Sequence, residues 1–203
     1  GDEYISDRTK VGYTMTAISF IHVLIAIFFA FNENIWLCLY NFVSFGIYQL
    51  LMELAKKKKY ILTTITASIE IIVFVLVTSF CIGTIMRFNL YCLAIVPGIF
   101  YITSTIKDFK GRTLLPFVTS IAAMLTYVTS LLFELVHEPI FVVEPSVTTQ
   151  LVEIFNVIIS FVMMIIFSLL FTWEMKNNSA ALEKRNQQLQ QFANRDPLTK
   201  LPN

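Results

Sequence analysis

The sequence predicts an all-α integral membrane protein, a bundle of six transmembrane helices whose last helix continues into water as a coiled-coil signalling helix. Three observations carry this. The 203 residues are 56% hydrophobic and only 14% charged, against about 25% charged in a soluble domain, and the mean hydropathy is +0.70. Six apolar stretches, at 11–31, 35–53, 60–83, 90–106, 114–136 and 150–173, approach or exceed the roughly 20 residues that cross a hydrocarbon core of about 30 Å. The basic residues, finally, fall almost entirely in alternate loops.

Residues 1–10, GDEYISDRTK, form a polar N-terminal segment with none of the features of a secretory leader. The first span follows and carries His22 near mid-membrane, about 15 Å in at 1.5 Å per residue. The second begins at Trp36, an interfacial anchor, and its polar residues Asn41, Ser44 and Tyr48 share one helical face. Four lysines at 56–59 then mark a loop that reads as a topogenic and anionic-lipid contact rather than a nucleic-acid site. The third span places Thr63, Thr66 and Glu70 on one face, Glu70 also lying about 15 Å in. The fourth is the shortest and contains Pro97-Gly98, which predicts a kink. The fifth aligns Tyr127, Ser130 and Glu134, and the sixth Glu153, Asn156 and Ser160.

All basic residues except Arg87 fall on the side of Arg8, the four lysines, Lys107, Lys110, Arg112 and the C-terminal tail. The positive-inside rule puts that side, and both termini, in the cytoplasm of a bacterial inner membrane. The loops left outside are too short for a folded sensor domain, so a signal has to be read among the helices or at their outer mouth.

Ionisable residues inside a bilayer are costly and therefore functional candidates. His22 and Glu70 suit either a ligand-orienting or proton-sensitive pair, or a polar contact between packed helices. At the outer end, Arg87 is the one cation among Glu134, His137, Glu138, Glu144 and Glu153. It would receive an acidic ligand or pair with a glutamate; the spacing fits no metal motif. The four polar stripes suit helix packing, or a partly polar pocket that opens outward and is lined by His22, Glu70, Arg87, Tyr127, Glu134, Glu153 and Asn156. Cys38, Cys81 and Cys92 read as packing residues, with a Cys81–Cys92 bridge left open. No nucleophile set, zinc signature or phosphate loop is present in the sequence.

From Ser146 to Asp196 there is neither glycine nor proline, which predicts one helix running about 75 Å through and beyond the sixth span. Over 174–196, Met175, Leu182 and Leu189 lie seven apart with Phe192 complementary, a thin heptad seam with Asn178 and Arg185 at the other core positions. Asn177-Asn178-Ser179 is its poorest helix-forming stretch and the expected hinge. At 197–203 a different element starts, because Asp196-Pro197 ends one helix and caps the next.

The residues Asp196-Pro197-Leu198-Thr199, with Leu201 and Asn203 beyond them, resemble the opening motif of bacterial GGDEF domains, with Lys200 where the family usually has glycine. The resemblance covers about the last ten residues. It implies that 197–203 begin a diguanylate cyclase domain, that GTP and magnesium belong to that missing domain, and that this chain, without catalytic residues or cofactor, is a regulatory region. The resemblance further implies a homodimer, with Asn178, Leu182, Leu189, Phe192, Asp196, Leu198 and Thr199 as the relay. The expected signal is a small apolar or amphipathic molecule, such as a lipid-like acid. A membrane transporter or channel, a passive anchor, and a phosphodiesterase output are the rival readings.

Overall fold

The computed structural model describes residues 6–193, with side chains from 6 to 190. It is all-helical, with no strand among the described residues, and has six helices long and apolar enough to cross a membrane. These are α1 (Asp7–Phe31), α2 (Ile35–Lys56), α3 (Tyr60–Ile82), α4 (Tyr91–Thr105), α5 (Leu114–Val136) and α6 (Val147–Ala193).

The local signals explain the boundaries. Ser6 caps α1 by accepting from the Thr9 amide, so the helix starts before the apolar run and takes Lys10 into the bundle. Residues 7–10 of the polar N-terminal segment are thus the first turn of α1. Asn34 caps α2 in the same way, after a tight turn in which Glu33 takes a positive φ of 56°. Between α3 and α4, Gly83 (φ 72°) ends one helix, and Arg87 (φ 59°) leads into a 3-10 turn at Phe88–Leu90. Helix α4 runs through Pro97 without interruption.

Helix α1 packs along α2, α2 on α3, and α3 on α5, while α4 sits centrally against α3, α5 and α6. Most of the buried apolar side chains come from α1 to α4, with Val11, Phe29, Tyr48, Phe74 and Phe88 almost completely enclosed. Helix α6 touches mainly α4 and the 3-10 turn. It is a single 47-residue helix, about 70 Å long at 1.5 Å per residue. The Asn177-Asn178-Ser179 stretch, the expected hinge, is continuous helix. Asn178 is half-buried, and every side chain from 181 to 190 is exposed, Leu182 and Leu189 included. Asp196, Leu198 and Thr199, like the side chain of Phe192, lie outside the described residues. The three cysteines are free thiols.

Candidate functional site

Helical spacing puts Asn41, Ser44 and Tyr48 on the face of α2 that meets α1 and α3, and all three are buried. A buried carboxylate is tolerable only if its charge is matched and its lone pairs are filled. Glu70, from α3, is surrounded accordingly. Ser44 donates to its Oε1 at 2.6 Å and Tyr48 donates to its Oε2 at 2.8 Å. His22, from α1, approaches the same Oε2 through Nε2 at 3.4 Å. The other ring nitrogen, Nδ1, is 2.9 Å from Asn41 Oδ1, and Asn41 donates its own amide to the Leu37 carbonyl at 2.8 Å.

These contacts assign hydrogen-bond roles to the two side chains. An amide oxygen can only accept, so His22 Nδ1 carries a proton. Two hydroxyls already donate to Glu70, so the carboxylate is the form the site is built for. The Nε2 contact is then attractive only if it too carries hydrogen. The His22 ring stacks on Tyr48 (centroids 5.4 Å apart) and meets Phe74 edge-on at 5.1 Å, which fixes its plane.

Beside His22 lies a cavity of about 30 Å³, walled by Ile18, Ile25, Ile71, Phe74, Ile95 and Met163. A second, of about 40 Å³, shares Ile18, Ile71, Ile95 and Met163 and continues toward the basic end past Thr64, Gly98 and Phe167. The Thr64 hydroxyl is buried without a hydrogen-bond partner. These two voids line the gap between α1 and α6, where Met163 and Phe167 reach in from α6. Sequence patterning did not single out Thr64, because a buried threonine usually bonds its own helix, as Thr63 does to the Lys59 carbonyl at 3.0 Å.

The polar residues of the opposite end do not line a common pocket with His22 and Glu70. Arg87 Nε pairs with Glu153 at 3.0 Å, both about half-exposed. Asn156 is fully buried, accepts from Tyr91 OH at 2.8 Å and donates to the Met86 carbonyl at 2.7 Å. Glu134, exposed, accepts from Thr84. Tyr127 is half-buried against the core, and its carbonyl accepts from Ser130 at 2.7 Å. These side chains are thus not gathered around one cavity. Polar groups in an apolar medium lower their energy by pairing, as Arg87, Glu134 and Asn156 do, while Ser130 bonds its own helix and the Ser160 hydroxyl is buried without a partner. A cavity of about 570 Å³ does exist at that end. Its lining comes from the α1–α2 turn and the α5–α6 loop, including Asn34, Trp36, Phe141 and Glu144.

A contact that sequence reasoning missed lies at the basic end. Lys10 Nζ is 2.7 Å from Glu174 Oε1, with the two side chains 0% and 3% exposed. The ammonium also lies 6.0 Å from the Tyr101 ring centroid. The pair joins α1 to α6 at the point where α6 leaves the bundle.

Compared with models of known protein families, with curated proteins and with solved structures, the chain matches none. The functional reading rests on the residues and their geometry. Among the described residues, no three His, Cys, Asp or Glu side chains are grouped to hold a metal ion.

Proposed function

We propose that this chain is a membrane sensor and dimerisation module that couples a small apolar or amphipathic signal to a C-terminal diguanylate cyclase. The observation that carries the reading is α6. One unbroken helix packs beside the voids through Met163 and Phe167, pairs with α1 through Glu174, and continues past the bundle with exposed leucines. A transporter has no need of such a rod, whereas a relay does.

A dimer through α6 is supported by a line of residues spaced by seven. Ile154, Phe161, Ser168, Met175, Leu182 and Leu189 are all exposed, and all but Ser168 are apolar. Lipid can cover the first two, but it cannot cover Leu182 and Leu189 in water, and a lone solvated helix of this length is marginal. A second copy in parallel register covers the whole line. The ligand enters by widening the gap between α1 and α6 beside His22 and Thr64, where the voids of about 30 and 40 Å³ have room only for water-sized groups as they stand, with Glu70 holding the His22 ring in place. Binding shifts α6 relative to α1, and the signal is the difference in ligand affinity between the two arrangements, typically about 1–3 kcal/mol. By the positive-inside rule the rod is cytoplasmic and the membrane is the bacterial inner membrane. GTP and magnesium are needed by the missing domain, whose binding residues are not in this chain.

Disulfide cross-linking in proteoliposomes tests this, in a background with Cys38, Cys81 and Cys92 replaced. Leu182→Cys, on the seam, should cross-link efficiently, and Gln187→Cys, five positions on and facing away, should not. Equal cross-linking at both positions, or none at either, removes the parallel relay.

A further inference from the structure

A groove of about 270 Å³ runs between the basic ends of α1 and α2, lined by Arg8, Gly12, Tyr13, Thr16, Met52 and Lys56. Its chemistry is graded along its length. Arg8 and Lys56 stand at the mouth. Tyr13, 74% exposed, follows at the level where interfacial tyrosines sit. Gly12, Thr16 and Met52 form the floor beyond, with Thr16 about 12 Å from Arg8 along the helix axis. That order of cation, amphipathic ring and apolar floor follows the polarity of a phospholipid from phosphate to acyl chain.

Two further observations make this more than a basic rim. A side chain built on Gly12 would meet nothing within 4 Å, so no packing constraint requires glycine there. What its bare backbone does is leave the groove open toward the bilayer. The two cations at the mouth are not equally engaged. Lys56 bonds Glu53 at 2.5 Å, whereas Arg8 forms no ion pair among the described residues, although Asp7 and Asp108 lie in the same neighbourhood. The volume is below the roughly 300–1,000 Å³ of a drug-sized pocket, which suits a ligand that leaves most of its length in the membrane.

We propose that this groove is a binding site for one anionic glycerophospholipid from the leaflet at the basic end. Arg8 and Lys56 hold its phosphate, and one acyl chain lies along Gly12, Thr16 and Met52. The site is separate from the gap beside His22, and its readout is lipid retention, which does not depend on signalling.

The test is native mass spectrometry of the full chain released from vesicles of equimolar phosphatidylglycerol and phosphatidylcholine. One phosphatidylglycerol per chain should be retained, in about tenfold preference to phosphatidylcholine. Arg8→Gln should remove most of that preference. Gly12→Phe keeps every charge but fills the groove, and should lose the lipid while helicity and unfolding stay unchanged. Should Gly12→Phe not fold, Thr16→Phe, at an exposed position, obstructs the same groove. Full retention by the folded plugging variant would mean diffuse attraction to surface charge, and would overturn the site. Equal retention of the two lipids by the native chain would overturn it as well, as would a second copy of the chain protecting the groove in place of lipid.

Discussion

Replacing Glu174 by glutamine removes one charge and almost no volume, and it leaves Lys10 in a site built for an ion pair. Both side chains are essentially inaccessible, at 0% and 3% exposure, and 2.7 Å apart. Removing one partner of a buried pair costs about 3–5 kcal/mol, because the other charge loses its compensation. Here the cost should fall to about 2–4 kcal/mol. Lys10 lies one turn from the start of α1 and can extend its stem toward water, and the Tyr101 ring retains part of the attraction. The assay is equilibrium unfolding in a bilayer, run as a double-mutant cycle of Glu174→Gln, Lys10→Met and the double variant. The two single variants should each be destabilised, and the double variant should recover a large share of the loss, since a buried pair and its neutral replacement are often equally stable. Hydrogen exchange should rise in α6 beyond residue 174 in both single variants. If Glu174→Gln falls within about 0.5 kcal/mol of the native chain, or the two changes simply add, the pair is not what holds α6 to α1.

Other perturbations follow from the same geometry. Glu70→Leu removes the acceptor of Ser44 and Tyr48 and the partner of His22, and should cost about 3–5 kcal/mol in bilayer unfolding; a loss under 1 kcal/mol would contradict the network. Asn156→Leu orphans Tyr91 OH and the Met86 carbonyl and should cost about 2–4 kcal/mol. Arg87→Gln should change stability by less than about 1 kcal/mol, since that pair is half-exposed, and a larger loss would show a structural role for it. A methyl on Gly98 would come within 3.0 Å of the Phe167 ring. Gly98→Ala should therefore destabilise by about 1–3 kcal/mol, and Phe167→Leu should restore much of the loss if that contact is the cause.

Much of the architecture was legible in the chain itself. Desolvation is a local property of a residue run, so six apolar stretches name six helices long and apolar enough to span without reference to one another. The length of α6 follows from the same kind of argument: between Ser146 and Asp196 nothing breaks a helix, and nothing does up to Ala193, where the described residues end. Helical periodicity likewise put Asn41, Ser44 and Tyr48 on one face, and depth along the helix put His22 and Glu70 at one level.

Partner choice was not legible, because it depends on how the helices are ordered and rotated about their axes. The pairing of Lys10 with Glu174 spans 164 positions; the sequence shows only a lysine near the start of one apolar run and a glutamate at the end of another. That Asn156 bonds the Met86 carbonyl depends on an irregular turn, whose free backbone groups no periodicity reports. Whether polar stripes line a pocket or close an interface was also a tertiary decision. Packed helices bring most of these groups within reach of each other, and in an apolar medium a paired polar group is lower in energy than one facing empty space. By itself, then, the sequence determined which six stretches form helices long and apolar enough to cross a membrane. The tertiary structure decided which charges meet, and so where α1 and α6 are joined and where a gap is left between them.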